Sequence, residues 1–218
     1  MKIGVFDSGK GGTTVLEAIR RKLPDEEYYY IADSKNCPYG EKSDEELFKI
    51  VDSVVTKLIE SDVQIVVVAC NTATTRAIDH LRARFPNIVF VGVEPAVKLA
   101  AKIGGKKILV LATPGTAKSE RLLKIVDHSL TNQAVTILPC AGLADAIEHD
   151  MGVDAVLEDL LRGIDRDYDV IVLGCTHYSL IKDEIQKFFP FAKLVDGNEG
   201  VANRVVNLVK GGSGYSSK

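Results

Sequence analysis

Ile65-Val66-Val67-Val68-Ala69-Cys70-Asn71-Thr72 and, 105 residues later, Val170-Ile171-Val172-Leu173-Gly174-Cys175-Thr176-His177 have the same form. Each is a continuous apolar run that ends on a cysteine followed by polar residues. A run that is apolar at every position marks a strand covered on both faces, as in a parallel sheet between helices. The same offset aligns Lys2-Ile3-Gly4-Val5-Phe6-Asp7-Ser8 with Lys107-Ile108-Leu109-Val110-Leu111-Ala112-Thr113 without a gap. One such match is an ordinary coincidence between strands. Two, with the cysteines in register, point to two similar halves.

Comparable runs at 2–6, 27–32, 64–69, 88–92, 107–112, 134–138, 169–174 and 192–195 predict eight strands. Between them, helical patterns run over 13–22, 43–60, 72–85, 115–128, 153–162, 179–188 and 200–209. Ser43 with Glu46 three residues on is a capping box for the second of these. Strand–helix alternation at this spacing gives βαβ units. The expected fold is α/β: two similar doubly wound parallel-sheet lobes related by pseudo-twofold symmetry, with a cleft between them. The first lobe is expected to comprise 1–95 plus 197–210 and the second 96–196, with 211–218 a Gly/Ser-rich flexible tail.

The composition agrees with a globular chain. Of 218 residues, 46% are hydrophobic and 26% charged, which excludes a disordered chain. The net charge of -3 supplies no field for nucleic acid or an anionic membrane. The apolar runs are too short to span a bilayer, and Met1-Lys2 leads straight into a strand with no signal peptide. A cytoplasmic chain is expected, with Cys37, Cys70, Cys140 and Cys175 as free thiols. No two cysteines have metal-site spacing, so no metal site is expected.

In open α/β sheets ligands bind beyond the carboxyl ends of strands. Asp7, Ser8, Cys70, Asn71, Thr72, Thr113, Cys175, Thr176 and His177 all fall there. Two facing halves would bring Cys70 and Cys175 to one cleft from opposite sides. That suits a reaction with an acid and a base on opposite faces of a carbon, such as racemisation at Cα. A thiol serves as either, because its reference pKa of about 8.5 is tuned by helix N-termini and polar neighbours, here expected towards neutrality.

Rival motifs are weaker. Gly4-Val5-Phe6-Asp7-Ser8-Gly9-Lys10-Gly11 approaches a phosphate-binding loop, but Gly11 stands where Ser or Thr must reach Mg²⁺. Cys70 and Arg76 have the spacing of a cysteine phosphatase, but the loop lacks glycine and a continued helix carries Arg76 away, as a solvated residue. A non-catalytic amino-acid binder would not be expected to keep both thiols. His80, His128 and His149 read as surface residues, and Cys37 and Cys140 as packing residues. Asp33 is placed to order the loop at Pro38-Tyr39.

Four blocks lie in order between Ile3 and Val206: Asp7-Ser8-Gly9, Cys37-Pro38-Tyr39-Gly40-Glu41-Lys42, Ala69-Cys70-Asn71-Thr72-Ala73 and Gly174-Cys175-Thr176-His177-Tyr178. Together they resemble the signature blocks of the glutamate racemases, in the aspartate/glutamate racemase superfamily. The resemblance implies a cofactor-independent racemase of free glutamate that supplies D-glutamate for peptidoglycan, and so for the cell wall and cell shape. Aspartate racemase is the alternative within the superfamily. The resemblance implies Cys70 and Cys175 as the catalytic thiols, acting on the D- and L-enantiomer respectively. Asp7 would assist the first, and His177 with Glu148 the second. Asp7, Ser8, Pro38, Tyr39, Gly40, Asn71, Thr72, Thr113, Thr116, Thr176 and His177 would bind substrate. The implied partners are the amino acid and a second copy of the chain, as a homodimer. Three departures stand out: Ala112 replaces a usual Gly, Ser179 a common Pro, and 149–169 is short.

Overall fold

The structure is a computed structural model, and it describes residues 1–211. All eight strands form, at Lys2–Asp7 (β1), Glu27–Ala32 (β2), Ile65–Val68 (β3), Val89–Gly92 (β4), Lys107–Ala112 (β5), Ala134–Pro139 (β6), Val170–Gly174 (β7) and Lys193–Val195 (β8). They make two four-stranded sheets, ordered β2-β1-β3-β4 and β6-β5-β7-β8, with every pairing parallel. The central strands β1, β3, β5 and β7 are buried nearly throughout, while β2 and β6 at the edges are only half-buried. Continuous apolar runs therefore mark the centre of each sheet, as double coverage requires.

Helices cover both faces of both sheets. Thr13–Lys22 (α1) and Asn198–Lys210 (α10) pack on one face of the first sheet, with Val15, Ile19, Val201 and Val205 buried between them. The chain's last helix thus returns to the first sheet. Asp44–Ile59 (α2) and Asn71–Arg84 (α3) cover the other face. On the second sheet, Val97–Ile103 (α4) and Glu120–Ser129 (α6) lie on one side. Leu143–Glu148 (α7), Val153–Leu160 (α8) and Lys182–Phe188 (α9) lie on the other. The hydroxyl of Ser43 caps α2 by accepting from Glu46 N at 3.2 Å, as its sequence predicts.

Four helical details depart from the sequence reading. The helix expected over 115–128 is split, because Ser119 caps α6 and ends the four-residue Pro114–Ala117 (α5). The helix expected from Ser179 starts at Lys182, after a 3₁₀ turn over Thr176–Ile181. There the Ser179 hydroxyl turns away to Asp196. The short helices α4 and α7 lacked enough periodic residues to stand out. The tail read as flexible lies outside the described residues except Gly211, which closes α10.

In both sheets the chain leaves the first central strand to one side and returns on the other. The crevice at this reversal lies beyond the carboxyl ends of β1 and β3, and again of β5 and β7.

Candidate active site

Cys70 and Cys175 occupy equivalent positions. Each follows a central strand in extended conformation (φ -134°, ψ 120° and φ -146°, ψ 138°) and immediately precedes a helical turn. Neither side chain caps its helix, so both sulfurs are left for other contacts. Both are buried, as are Asp7, Ser8, Asn71, Thr72, Thr113, Thr116, Thr176 and His177.

The Cys70 Sγ lies 3.7 Å from the Ser8 hydroxyl. Beside it, Asp7 Oδ2 accepts from Gly12 N at 2.6 Å and from the Thr176 hydroxyl at 3.2 Å. Asp7 Oδ1 is buried with no partner among the described residues. Burial pushes the Asp7 carboxyl above its ordinary range, against the opposing pull of His177 and the backbone amides of Ser8 and Gly12.

The Cys175 Sγ lies 3.8 Å from His177 Nδ1, and His177 Nε2 lies 2.8 Å from Glu148 Oε2. Burial alone would raise the Glu148 carboxyl. Bonds from the Ser34 hydroxyl, Lys10 N (2.8 Å) and His177 outweigh it and hold Glu148 low. An ionised carboxylate only accepts, so Nε2 carries the imidazole proton. In a neutral imidazole with that proton, Nδ1 would be an acceptor facing the Cys175 thiol.

The expected tuning of the two thiols towards neutrality is not what the site produces. Burial raises both well above an ordinary cysteine, and the Asp7 charge raises Cys70 further, against smaller lowering bonds from backbone amides. Desolvation and a nearby carboxylate outweigh a helix N-terminus here. Both thiols are thus held above an ordinary cysteine, with Asp7 near Cys70 and the His177 imidazole beside Cys175.

The lobes exchange hydrogen bonds across the cleft. Thr176 of the second reaches Asp7 of the first, while Lys10 and Ser34 of the first reach Glu148 of the second. The hydroxyls of Thr72, Thr113 and Thr116 form a buried triangle with edges of 2.9, 3.2 and 3.1 Å. Glycines allow this approach. A Cβ on Gly9 would lie 2.3 Å from Glu148, on Gly11 2.5 Å from His177 N, and on Gly40 2.7 Å from Thr113.

Other expected residues are engaged with partners of their own. Tyr39 is buried in the first lobe's core and its hydroxyl donates to Asp33 at 2.7 Å, so Asp33 does order that loop. Pro38 is half-buried beside it, and Gly40 meets Thr113. The Asn71 amide donates to Val93 O at 3.3 Å. Arg76 is not solvated: its guanidinium is bound to Asp44 and Lys42 O, away from Cys70, which removes the phosphatase geometry. His80 is half-buried, stacked on Phe48 and bound to Asp52. Sequence reasoning passed over Ser34 and the Lys10 amide. The Gly9–Gly12 loop was the available signal for the latter. All four cysteines are free. Among the described residues no helix is long and apolar enough to cross a membrane.

Residues 3–205 match the model of the Asp/Glu/Hydantoin racemase family. A glutamate racemase of Clostridium botulinum is 40% identical over 93% of this chain and 81% of its own length. The structure of Escherichia coli glutamate racemase, in complex with L-glutamate and the activator UDP-MurNAc-Ala, superposes with a TM-score of 0.87. It is 35% identical over 96% of this chain and 82% of that one. The Francisella tularensis enzyme in complex with D-glutamate gives 0.82 at 27% identity, over 100% and 84%. Matched over nearly its whole length, the chain belongs to the Asp/Glu/Hydantoin racemase family, alongside the glutamate racemases.

Proposed function

We propose that this chain interconverts L- and D-glutamate, with Cys70 and Cys175 as the two bases and no cofactor. The observation that carries the reading is the paired placement of the thiols. They follow equivalent strands on opposite lobes, each beside its own proton acceptor. Relatives solved with L-glutamate and with D-glutamate support the choice of substrate.

Starting from L-glutamate, Cys175 passes its proton to His177 Nδ1, whose imidazolium Glu148 stabilises. The resulting thiolate takes the Cα proton, and the Cys70 thiol delivers its own proton to the opposite face. From D-glutamate the roles reverse, with Asp7 receiving the Cys70 proton. Its raised pKa suits a carboxylate that must hold a proton between turnovers. The substrate ammonium supplies the positive charge that the unpartnered Asp7 Oδ1 lacks. Hydroxyls of Ser8, Thr72, Thr113, Thr116 and Thr176 can turn their protons towards carboxylate oxygens without adding net charge. Backbone N–H groups after Cys70 and Cys175 add fixed dipoles to the carbanion-like state. The product would serve as D-glutamate for peptidoglycan.

The test is Cα deuterium incorporation in D₂O with L-Glu, D-Glu, L-Asp and D-Asp separately. Exchange with inversion on both glutamates is expected, and its loss in Cys70→Ser and in Cys175→Ser. Exchange on aspartate alone would change the substrate. Parental activity in either variant would end the two-thiol mechanism.

A further inference from the structure

The mechanism leaves Cys37 unused, yet its thiol stands against the acid–base pair of the second lobe. Donor atoms of Cys37, Glu148 and His177 all lie within 4.8 Å of one another. They come from three separate elements. Cys37 sits in the first-lobe loop between two 3₁₀ turns, Glu148 ends α7, and His177 lies in the turn after β7. His177 is buried, the Glu148 side chain is 6% exposed, and Cys37 is half-buried at the edge.

We propose that Cys37, Glu148 and His177 form an inhibitory site for a borderline-soft divalent cation of the Zn²⁺ class. One thiolate, one imidazole and one carboxylate is a zinc-type donor set, whereas Mg²⁺ and Ca²⁺ favour oxygen alone. With metal bonds of about 2.3 Å to sulfur and about 2.0 Å to nitrogen or oxygen, tetrahedral ligands stand roughly 3.3–3.6 Å apart. His177 Nε2 and Glu148 Oε2, now 2.8 Å apart, would part by about 0.5 Å to hold an ion, and Cys37 would close on them by up to about 1.5 Å from the outer limit of 4.8 Å. Water fills the fourth position, as in open zinc sites.

The surroundings favour a cation. Glu148, Asp7 and Asp145 place carboxylates around the trio, and a dication offsets their charge while the Cys37 thiol releases its proton to water. The outer shell is already built. Lys10 N and the Ser34 hydroxyl orient Glu148, and the imidazole's other nitrogen faces Cys175. Ligation through Nε2 would move the imidazole proton to Nδ1. His177 could then no longer accept from Cys175, and the ion would also tie the two lobes together. Either effect stops turnover, so the ion is an inhibitor and not a cofactor.

The test uses the full chain after chelator treatment. Zn²⁺ is titrated in competition with a chromophoric chelator, and Co²⁺ is added separately for its thiolate charge-transfer band. One ion per chain is expected, with that band present. Cys37→Ser should abolish the band and weaken Zn²⁺ binding by at least the roughly 10–100-fold that loss of an outer-shell partner costs. Cys140→Ser should change neither. Glu148→Gln should also weaken binding, which keeps the test open if the Cys37 variant folds poorly. Where glutamate exchange is measured, Zn²⁺ should inhibit the parent, while Cys37→Ser should keep the parental rate and resist at least tenfold more Zn²⁺. No Zn²⁺ binding at micromolar concentration would overturn the site. So would binding that survives Cys37→Ser, or a cobalt band lost only with Cys70 or Cys175. The binding arms stand whether or not the chain racemises glutamate.

Discussion

Replacing Gly11 by alanine tests whether the closeness of the lobes sets the chemistry. The added Cβ would lie 2.5 Å from His177 N, 2.8 Å from the Thr176 carbonyl carbon and 2.9 Å from His177 Cα. All three are backbone atoms of the opposite lobe, so no side chain can swing aside. Ordinary contact begins at 3.4 Å, and the turn holding His177 must retreat by about 0.9 Å. Overpacking of this kind costs about 1–3 kcal/mol. At roughly 2–4 °C per kcal/mol for a chain of this size, Tm should fall by about 2–12 °C. The larger effect is on rate. A misplacement near 1 Å costs on the order of 10²-fold, because the retreat moves His177 and Cys175 away from a substrate held by the first lobe. Circular dichroism melts and Cα deuterium exchange measure the two effects. Gly200→Ala is the control, since nothing lies within 4 Å of its Cβ and it sits inside α10. It should leave exchange unchanged and stabilise by up to about 1 kcal/mol. Exchange within twofold of the parent in Gly11→Ala, with unchanged Tm, would refute the reasoning.

Asp7→Asn should abolish exchange yet gain stability relative to the parent as pH rises. Burial lifts the folded Asp7 pKa above its unfolded value. Between the two values the folded chain holds more protons than the unfolded one, and parental stability falls with pH. The Tm difference between variant and parent should therefore grow in the variant's favour from about pH 4 upward, and a difference independent of pH would contradict this. Glu148→Gln should slow exchange on the order of 10²-fold by releasing the imidazole proposed to serve Cys175. Since the enantiomers have equal free energy, kcat/KM must fall by one factor in both directions, which polarimetry from each side checks. Thr72→Val removes one corner of the hydroxyl triangle and should raise KM more than it lowers kcat, seen in initial rates over a range of glutamate concentrations.

The sheets were readable because their central strands are buried on both faces and apolar at every position. The register of the halves followed from Lys2 against Lys107 and Cys70 against Cys175. Residues at the ends of those strands, Asp7, Thr113 and His177 among them, could be placed for the same reason. What escaped was set by tertiary contact. The helix that delivers Glu148 is six residues long, with a left-handed glycine before it, and has too little period to be seen. Ser34 and the Lys10 amide matter only because the other lobe approaches them. Arg76 looked solvated because its partners, Asp44 and Lys42, lie a full helix earlier in the chain. The raised thiols were missed because desolvation depends on closure, which no local motif encodes.

The hydrogen bonds exchanged between the lobes act as an interlock. Glu148 is held in its ionised state partly by Lys10 and Ser34 from across the cleft, and Asp7 is held by Thr176 in return. Parting the lobes to admit or release an amino acid would unpin both carboxylates in the same movement. The proton relays would then be disarmed whenever water can enter and rearmed only around a captured ligand. On the proposed mechanism no separate lid would be needed to protect a half-formed carbanion, because parting of the lobes and reactivity would exclude one another.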